Sequence, residues 1–87
     1  MRVLGLDIGS RTIGVAVSDE LGYTAQGVEV IRRSSLKKDI QRLRELVAHY
    51  GVTSVVVGIP RNMDGSYGPA AQEVRSLCHV LKDKLPL

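Results

Sequence analysis

The chain has 87 residues, 44% of them apolar, which suffices for one small domain with its own core and is too little for a second. It has no Phe and no Trp, so the core must be aliphatic, and Tyr23, Tyr50 and Tyr67 are too few to build a platform for stacked bases. A net charge of +3, from 12 basic and 9 acidic residues, permits a polyanionic partner without requiring one, and a lone cysteine, Cys78, excludes an internal disulfide.

The opening segment MRVLGLDIGS holds a short apolar run broken by Asp7. It is neither a signal peptide nor a membrane span, so a cytoplasmic protein without a membrane partner is expected. Residues 2–8 place Leu4, Leu6 and Ile8 on one side and Val3, Gly5 and Asp7 on the other. Gly9-Ser10 ends the run abruptly, which predicts a central strand apolar on both faces rather than a helix. Residues 12–18 repeat the alternation with Ile13, Val15 and Val17, and the short link predicts an antiparallel hairpin. The turn Asp19-Glu20-Leu21-Gly22 leads to a third strand ending near Ile31, with Val28 and Val30 as its apolar side.

Beyond Ser34 and Ser35, both suited to cap a helix, the period becomes helical: Leu36, Ile40, Leu43, Val47 and Tyr50 share a face and Gly51 follows as the stop. Residues 53–59, TSVVVGI, read as a strand buried on both faces. Pro60 to Gly68 is a loop, and Pro69 opens a second helix whose apolar stripe is Ala70, Val74, Leu77, Cys78 and Leu81. Lys82 and Lys84 suit its C-terminal end, and Pro86 stops it. The order is β-β-β-α-β-α in a single domain over residues 1–87. A strand reached through a helical crossover lies parallel to one already in the sheet, with a right-handed connection, and the first strand is its natural partner. An α/β fold with a mixed sheet is therefore expected.

Asp7 is the sharpest chemical signal. A carboxylate on a strand buried on both faces is costly unless it is paired or holds a metal. It stands one residue from the strand end, and Gly9 and Ser10 would let a phosphate backbone approach closely. The structural alternative is an Asp that caps its own turn. The loop residues Arg61, Asn62, Asp64 and Ser66 would emerge at the same sheet edge if the fourth strand is parallel to the first. They could hold sugar and phosphate, or bond one another as an ordinary Asp-Gly turn. Arg11 could reach a phosphate beside Asp7 or be a solvated turn residue. The basic run Arg32, Arg33, Lys37, Lys38, Arg42 and Arg44 is most simply a solvated helix face. His49, His79 and Cys78 have no zinc-like spacing, and Asp19-Glu20 is a solvated turn.

Asp7 to Gly14 reads D-x-G-x-x-x-x-G, a spacing common to ribonuclease H-like and actin-like proteins, in which the Asp binds a divalent metal or its water and the glycines admit phosphate. The longer strings LGLDIGSRTIGVAVSDELGYTAQG and VVVGIPRNMDGSYGPAA are far more specific. Through Asp7, Gly9, Arg11, Gly14, Ser18, Asp19, Gly58, Pro60, Asn62, Met63, Asp64, Gly65, Ser66, Gly68 and Pro69 the chain resembles the YqgF/RuvX-like family. Its members were named for Holliday junction resolution and are now read as pre-16S ribosomal RNA nucleases. The resemblance covers essentially the whole chain.

That resemblance implies a ribonuclease H-like fold, with Mg²⁺ or Mn²⁺ supporting hydrolysis of a phosphodiester, and Asp7 as catalytic residue and metal ligand. It implies structured RNA, or DNA junctions, as the nucleic-acid partner. The family's two further carboxylates lie on a fifth strand and a last helix that this sequence does not contain. The chain therefore reads as an N-terminal part, inactive alone, whose open sheet edge would invite self-association into a homo-oligomer. Two other readings stay open: an actin-like ATP-binding module, which would need a second Asp-Gly phosphate segment, and a catalytically inactive interaction protein.

Overall fold

A computed structural model of the chain describes residues 2–87. The elements follow the expected order: β1 (Arg2–Ile8), β2 (Thr12–Ser18), β3 (Ala25–Arg32), α1 (Leu36–Tyr50), β4 (Val52–Val57) and α2 (Pro69–Lys84). The four strands form one mixed sheet in the order β3-β2-β1-β4. The β1–β2 and β2–β3 pairs are antiparallel and β4 runs parallel to β1. The parallel pairing is what the intervening α1 crossover permits.

The helices are fixed at their ends by local chemistry. The Ser35 hydroxyl accepts from the Lys38 amide at 3.2 Å, and the Asp39 carboxylate accepts from the Ser34 amide at 3.3 Å, so two donors at the start of α1 are satisfied. Gly51 ends α1 in the left-handed region, at φ 63°, which a side chain would disfavour. Pro69 occupies the first turn of α2, where its missing N–H costs nothing.

One face of the sheet carries the core. Leu4, Leu6, Ile8, Ile13, Val15, Val17 and Ile31 pack with Ile40, Leu43, Leu46 and Val47 of α1 and with Val74 and Leu81 of α2. Burying such aliphatic side chains is worth about 1.5–3 kcal/mol each and supplies most of the driving force in a protein this poor in aromatics. Arg44 adds a polar tie between the helices: its Nε donates to the Lys84 carbonyl at 2.7 Å.

The other face of the sheet is open among the described residues, and this corrects several expectations. Neither β1 nor β4 is buried on both sides: Asp7 is exposed and Val56 is 60% exposed. β4 also spans Val52–Val57, starting and ending earlier than expected. Val30, expected on the apolar side of β3, is 69% exposed on the open face. The reason is a bulge. Val15 pairs with Glu29 and Ala16 with Gly27, which leaves Val28 as an extra residue and shifts the alternation. Val28 and Ile31 face the core instead. In α2 the buried alanine is Ala71, not Ala70, and in α1 Leu46 joins the buried stripe while Leu36 is 48% exposed.

Candidate active-site edge

Because β1 and β4 are parallel, their C-terminal ends meet at one edge of the sheet. Leu6 pairs with Val57, and the Gly58 amide then donates to the Leu6 carbonyl at 3.0 Å, so the chain leaving β4 stays tied to β1 next to Asp7. Asp7 pairs with Gly14 across β1–β2. A Cβ on Gly14 would lie 3.6 Å from the Asp7 Cβ. A shallow depression lined by Gly5, Asp7, Gly14, Ala16, Val56 and Gly58 runs over the open face. Small residues keep it low, and its two acidic groups are Asp7 and Glu29, the latter paired with Arg42.

The turn after Asp7 is closely tied. Gly9 N–H donates to the Thr12 carbonyl at 2.8 Å, and a Cβ on Gly9 would stand 3.2 Å from that oxygen. Arg33 fastens the turn from β3's end: its Nη1 donates to the Gly9 carbonyl at 2.7 Å and its amide to the Arg11 carbonyl at 2.9 Å. Sequence spacing did not single out Arg33 from the basic run, because its partner lies 24 residues away. Arg11 itself is exposed, and its guanidinium has no polar partner among the described residues.

The loop between Gly58 and Gly68 organises itself. Asn62 N–H donates to the Ser66 carbonyl at 2.8 Å, and Asn62 Nδ2 to the Ser66 hydroxyl at 3.1 Å. The Ser66 amide and hydroxyl both donate to Asp64 Oδ1, at 2.9 and 2.6 Å. These bonds from the Ser66 hydroxyl and then its amide hold the Asp64 carboxyl below the usual value. Asn62, Asp64 and Ser66 thus give the loop a fixed shape. Arg61 lies apart from that set, with its Nε donating to the Tyr67 hydroxyl at 3.1 Å. No hydrogen bond joins the loop side chains to Asp7 or Arg11 among the described residues.

The basic run divides. Arg42 grips Glu29 through two bonds, 2.6 and 2.8 Å, and reaches Glu45 at 3.2 Å; Arg44 is bound to Lys84; Arg33 holds the Gly9 turn. Asp19 is bonded by the Tyr23 amide and the Thr24 hydroxyl, so it shapes the β2–β3 turn.

No group of three or more His, Cys, Asp or Glu side chains that could hold a metal ion occurs among the described residues. A hard divalent cation takes several oxygen ligands, and Asp7 supplies one carboxylate. The described residues do not by themselves fit a Mg²⁺ or Mn²⁺ centre. No described helix is long and apolar enough to cross a membrane.

Comparison with known proteins bears on this edge. A protein-family model described as Holliday junction resolvase, RuvX, matches residues 1–87. Among curated relatives, one from Clostridium tetani is 52% identical over 85 residues, covering 98% of this chain and 62% of its own length. One from Symbiobacterium thermophilum is 62% identical over 81 residues, covering 93% and 56%. One from Moorella thermoacetica is 54% identical over 87 residues, covering 100% and 62%. Each carries the name "Putative pre-16S rRNA nuclease". The chain spans roughly three fifths of the length of these relatives, between 56% and 62%.

Proposed function

The chain belongs to the RuvX, Holliday junction resolvase, family, and on that premise we propose that the protein is a nuclease acting on structured RNA of the pre-16S type, on a ribonuclease H-like fold. The observation that carries the reading is the pairing of Asp7 with Gly14 at the edge where β1 and β4 both end. It puts an exposed carboxylate beside small residues, where a sugar-phosphate strand can come close. Arg11 contributes an unneutralised guanidinium to the turn that follows. Arg61 opens the loop that follows Gly58, and the bonded set Asn62, Asp64 and Ser66 gives that loop its shape. These residues bind and orient the strand; Gly9 and Gly14 admit its backbone.

Hydrolysis of a phosphodiester needs charge neutralised in the transition state. In a metal-dependent nuclease Asp7 would be one ligand among several. The described residues do not complete such a set.

DNA junctions are the second reading, favoured by the family's description. The deciding experiment offers the full-length protein a precursor 16S RNA fragment and a four-way DNA junction side by side, with Mg²⁺, with Mn²⁺ and with chelator. Cleavage of the RNA, lost on chelation and lost in Asp7→Asn, is expected. Cleavage of the junction alone would transfer the activity to DNA. Cleavage of neither would remove the nuclease reading.

A further inference from the structure

Tyr67 lies at the end of the loop that leaves β4, and two guanidinium groups gather on it. Arg61 Cζ lies over the ring at 5.1 Å from its centroid, and Arg75 Cζ, from the second turn of α2, lies over it at 4.9 Å. Arg61 is held further by the bond from its Nε to the Tyr67 hydroxyl. Tyr67 is 46% exposed, so the cluster is open to solvent.

Its charge is not balanced. Every ion pair between described residues belongs to Arg42, and neither Arg61 nor Arg75 touches a carboxylate. The terminal N–H groups of Arg61 and all those of Arg75 have no protein acceptor among the described residues. Two like charges have been brought to one ring with all their donors but Arg61 Nε unspent. The ring's negative face offsets part of the repulsion and limits the rotamers of both side chains. What such a pair lacks is an anion with several oxygens. Planar guanidinium forks match phosphate in geometry, and prior ordering lowers the entropy lost when the bonds form.

We propose that Arg61, Tyr67 and Arg75 form a grip for the phosphodiester backbone of a nucleic-acid strand, in which the two arginines bind phosphate and Tyr67 positions them. The proposal rests on the nuclease reading for its ligand and extends it by a contact on α2, away from Asp7. A free phosphate or a mononucleotide would offer the same oxygens. A strand differs in presenting successive phosphates to both arginines at once.

The test uses the full-length protein with Asp7→Asn, so that cleavage does not interfere, and a labelled single-stranded RNA oligomer titrated at several salt concentrations. Arg75→Ala should weaken binding several-fold and reduce the slope of log K against log salt by about 0.7, one counterion's worth for a single strand. Arg75→Lys should restore the slope but not the affinity. Tyr67→Leu leaves net charge unchanged, yet it should weaken binding and lower the slope, because the arginines lose their fixed placement; Tyr67→Phe, which keeps the ring, should fall between. Competition with inorganic phosphate and with a mononucleotide forms the second arm. If either displaces the RNA as well, per phosphate, as an unlabelled oligomer does, the site takes free anions and the strand grip is wrong. If Arg75→Ala and Tyr67→Leu keep the parent's affinity and slope, the grip falls while the nuclease reading stands. If the parent binds neither RNA nor junction DNA, both fall together.

Discussion

Asp7 and Gly14 are cross-strand partners, and a methyl group on Gly14 would touch the Asp7 side chain at an ordinary 3.6 Å. Fold and function should therefore separate at this glycine. Gly14→Ala fits, and replacing a flexible residue inside a strand should leave stability unchanged or raise it by about 0.5 kcal/mol. Gly14→Leu projects onto the open face over Asp7 and should cut cleavage by the full-length protein more than it lowers the melting temperature. Wild-type turnover by the Leu variant would show that no substrate passes over Gly14.

Asp7→Asn keeps the shape of the side chain and removes its charge. Asp7 is exposed, so the change should move stability by no more than about 0.5 kcal/mol. Cleavage of precursor RNA by the full-length protein should drop by roughly a hundredfold or more, the scale seen when one charge-stabilising group is lost. Thermal melting and single-turnover cleavage measured on the same preparation check both halves. A folded Asn variant with wild-type turnover removes Asp7 from the chemistry.

The turn after Asp7 depends on a close contact and a long-range tie. Gly9→Ala must push its Cβ against the Thr12 carbonyl at 3.2 Å, and Arg33→Ala removes the donor to the Gly9 carbonyl. Each should cost about 1 kcal/mol, the first by crowding and the second through a partly solvated charged hydrogen bond. Denaturant unfolding gives the sizes. The double variant should cost less than the sum, because both act on the same turn.

Asp64 supplies a pH signature for the loop. Its carboxyl is held below the 3.8 of an unperturbed aspartate by the Ser66 hydroxyl and then by the Ser66 amide. A depressed value in the folded state means that its contribution to loop order is complete above 3.8 and disappears as the pH falls through the lower folded value. The Ser66 amide resonance should therefore titrate with a midpoint below 3.8, and Asp64→Asn should abolish that titration. A midpoint at or above the unperturbed value would mean that the Asp64–Ser66 bonds do not persist in solution.

The element order was legible because each boundary between successive elements is punctuated, by Gly9, Gly22, Ser35, Gly51 and Pro69 in turn. Position within the sheet was less so. Val30 and Val56 are as apolar as Val15, and only the bulge at Val28 and the uncovered second face of the sheet among the described residues decide that they are exposed. For the same reason the burial argument for Asp7 was wrong although its strand was placed correctly. Of the edge, Asp7, Gly14 and the 61–66 loop were readable as a local pattern. Arg33 and Arg75 were not, since the Gly9 carbonyl and the Tyr67 ring are tertiary partners that no spacing rule specifies.

Arg11 and Arg42 provide the sharpest contrast among the basic residues. Both could be counted toward a positive surface, yet Arg42 is committed: it makes two bonds to Glu29, one to Glu45, and this pairing pushes its already high value further up. An arginine so neutralised has no free charge with which to displace a condensed counterion from a phosphate. Arg11, exposed and without a polar partner, can take one. In a catalytically dead full-length background, Arg11→Ala should weaken RNA binding and flatten the dependence on salt by about one unit of slope. Arg42→Ala should leave that slope unchanged and instead cause a small loss of stability, small because a half-exposed ion pair is largely screened. Metal affinity measured without nucleic acid should be the same in both variants, since neither side chain can ligate a cation. If Arg42→Ala flattens the slope and Arg11→Ala does not, the strand runs along the outer face of α1, and the turn after Asp7 is not its path.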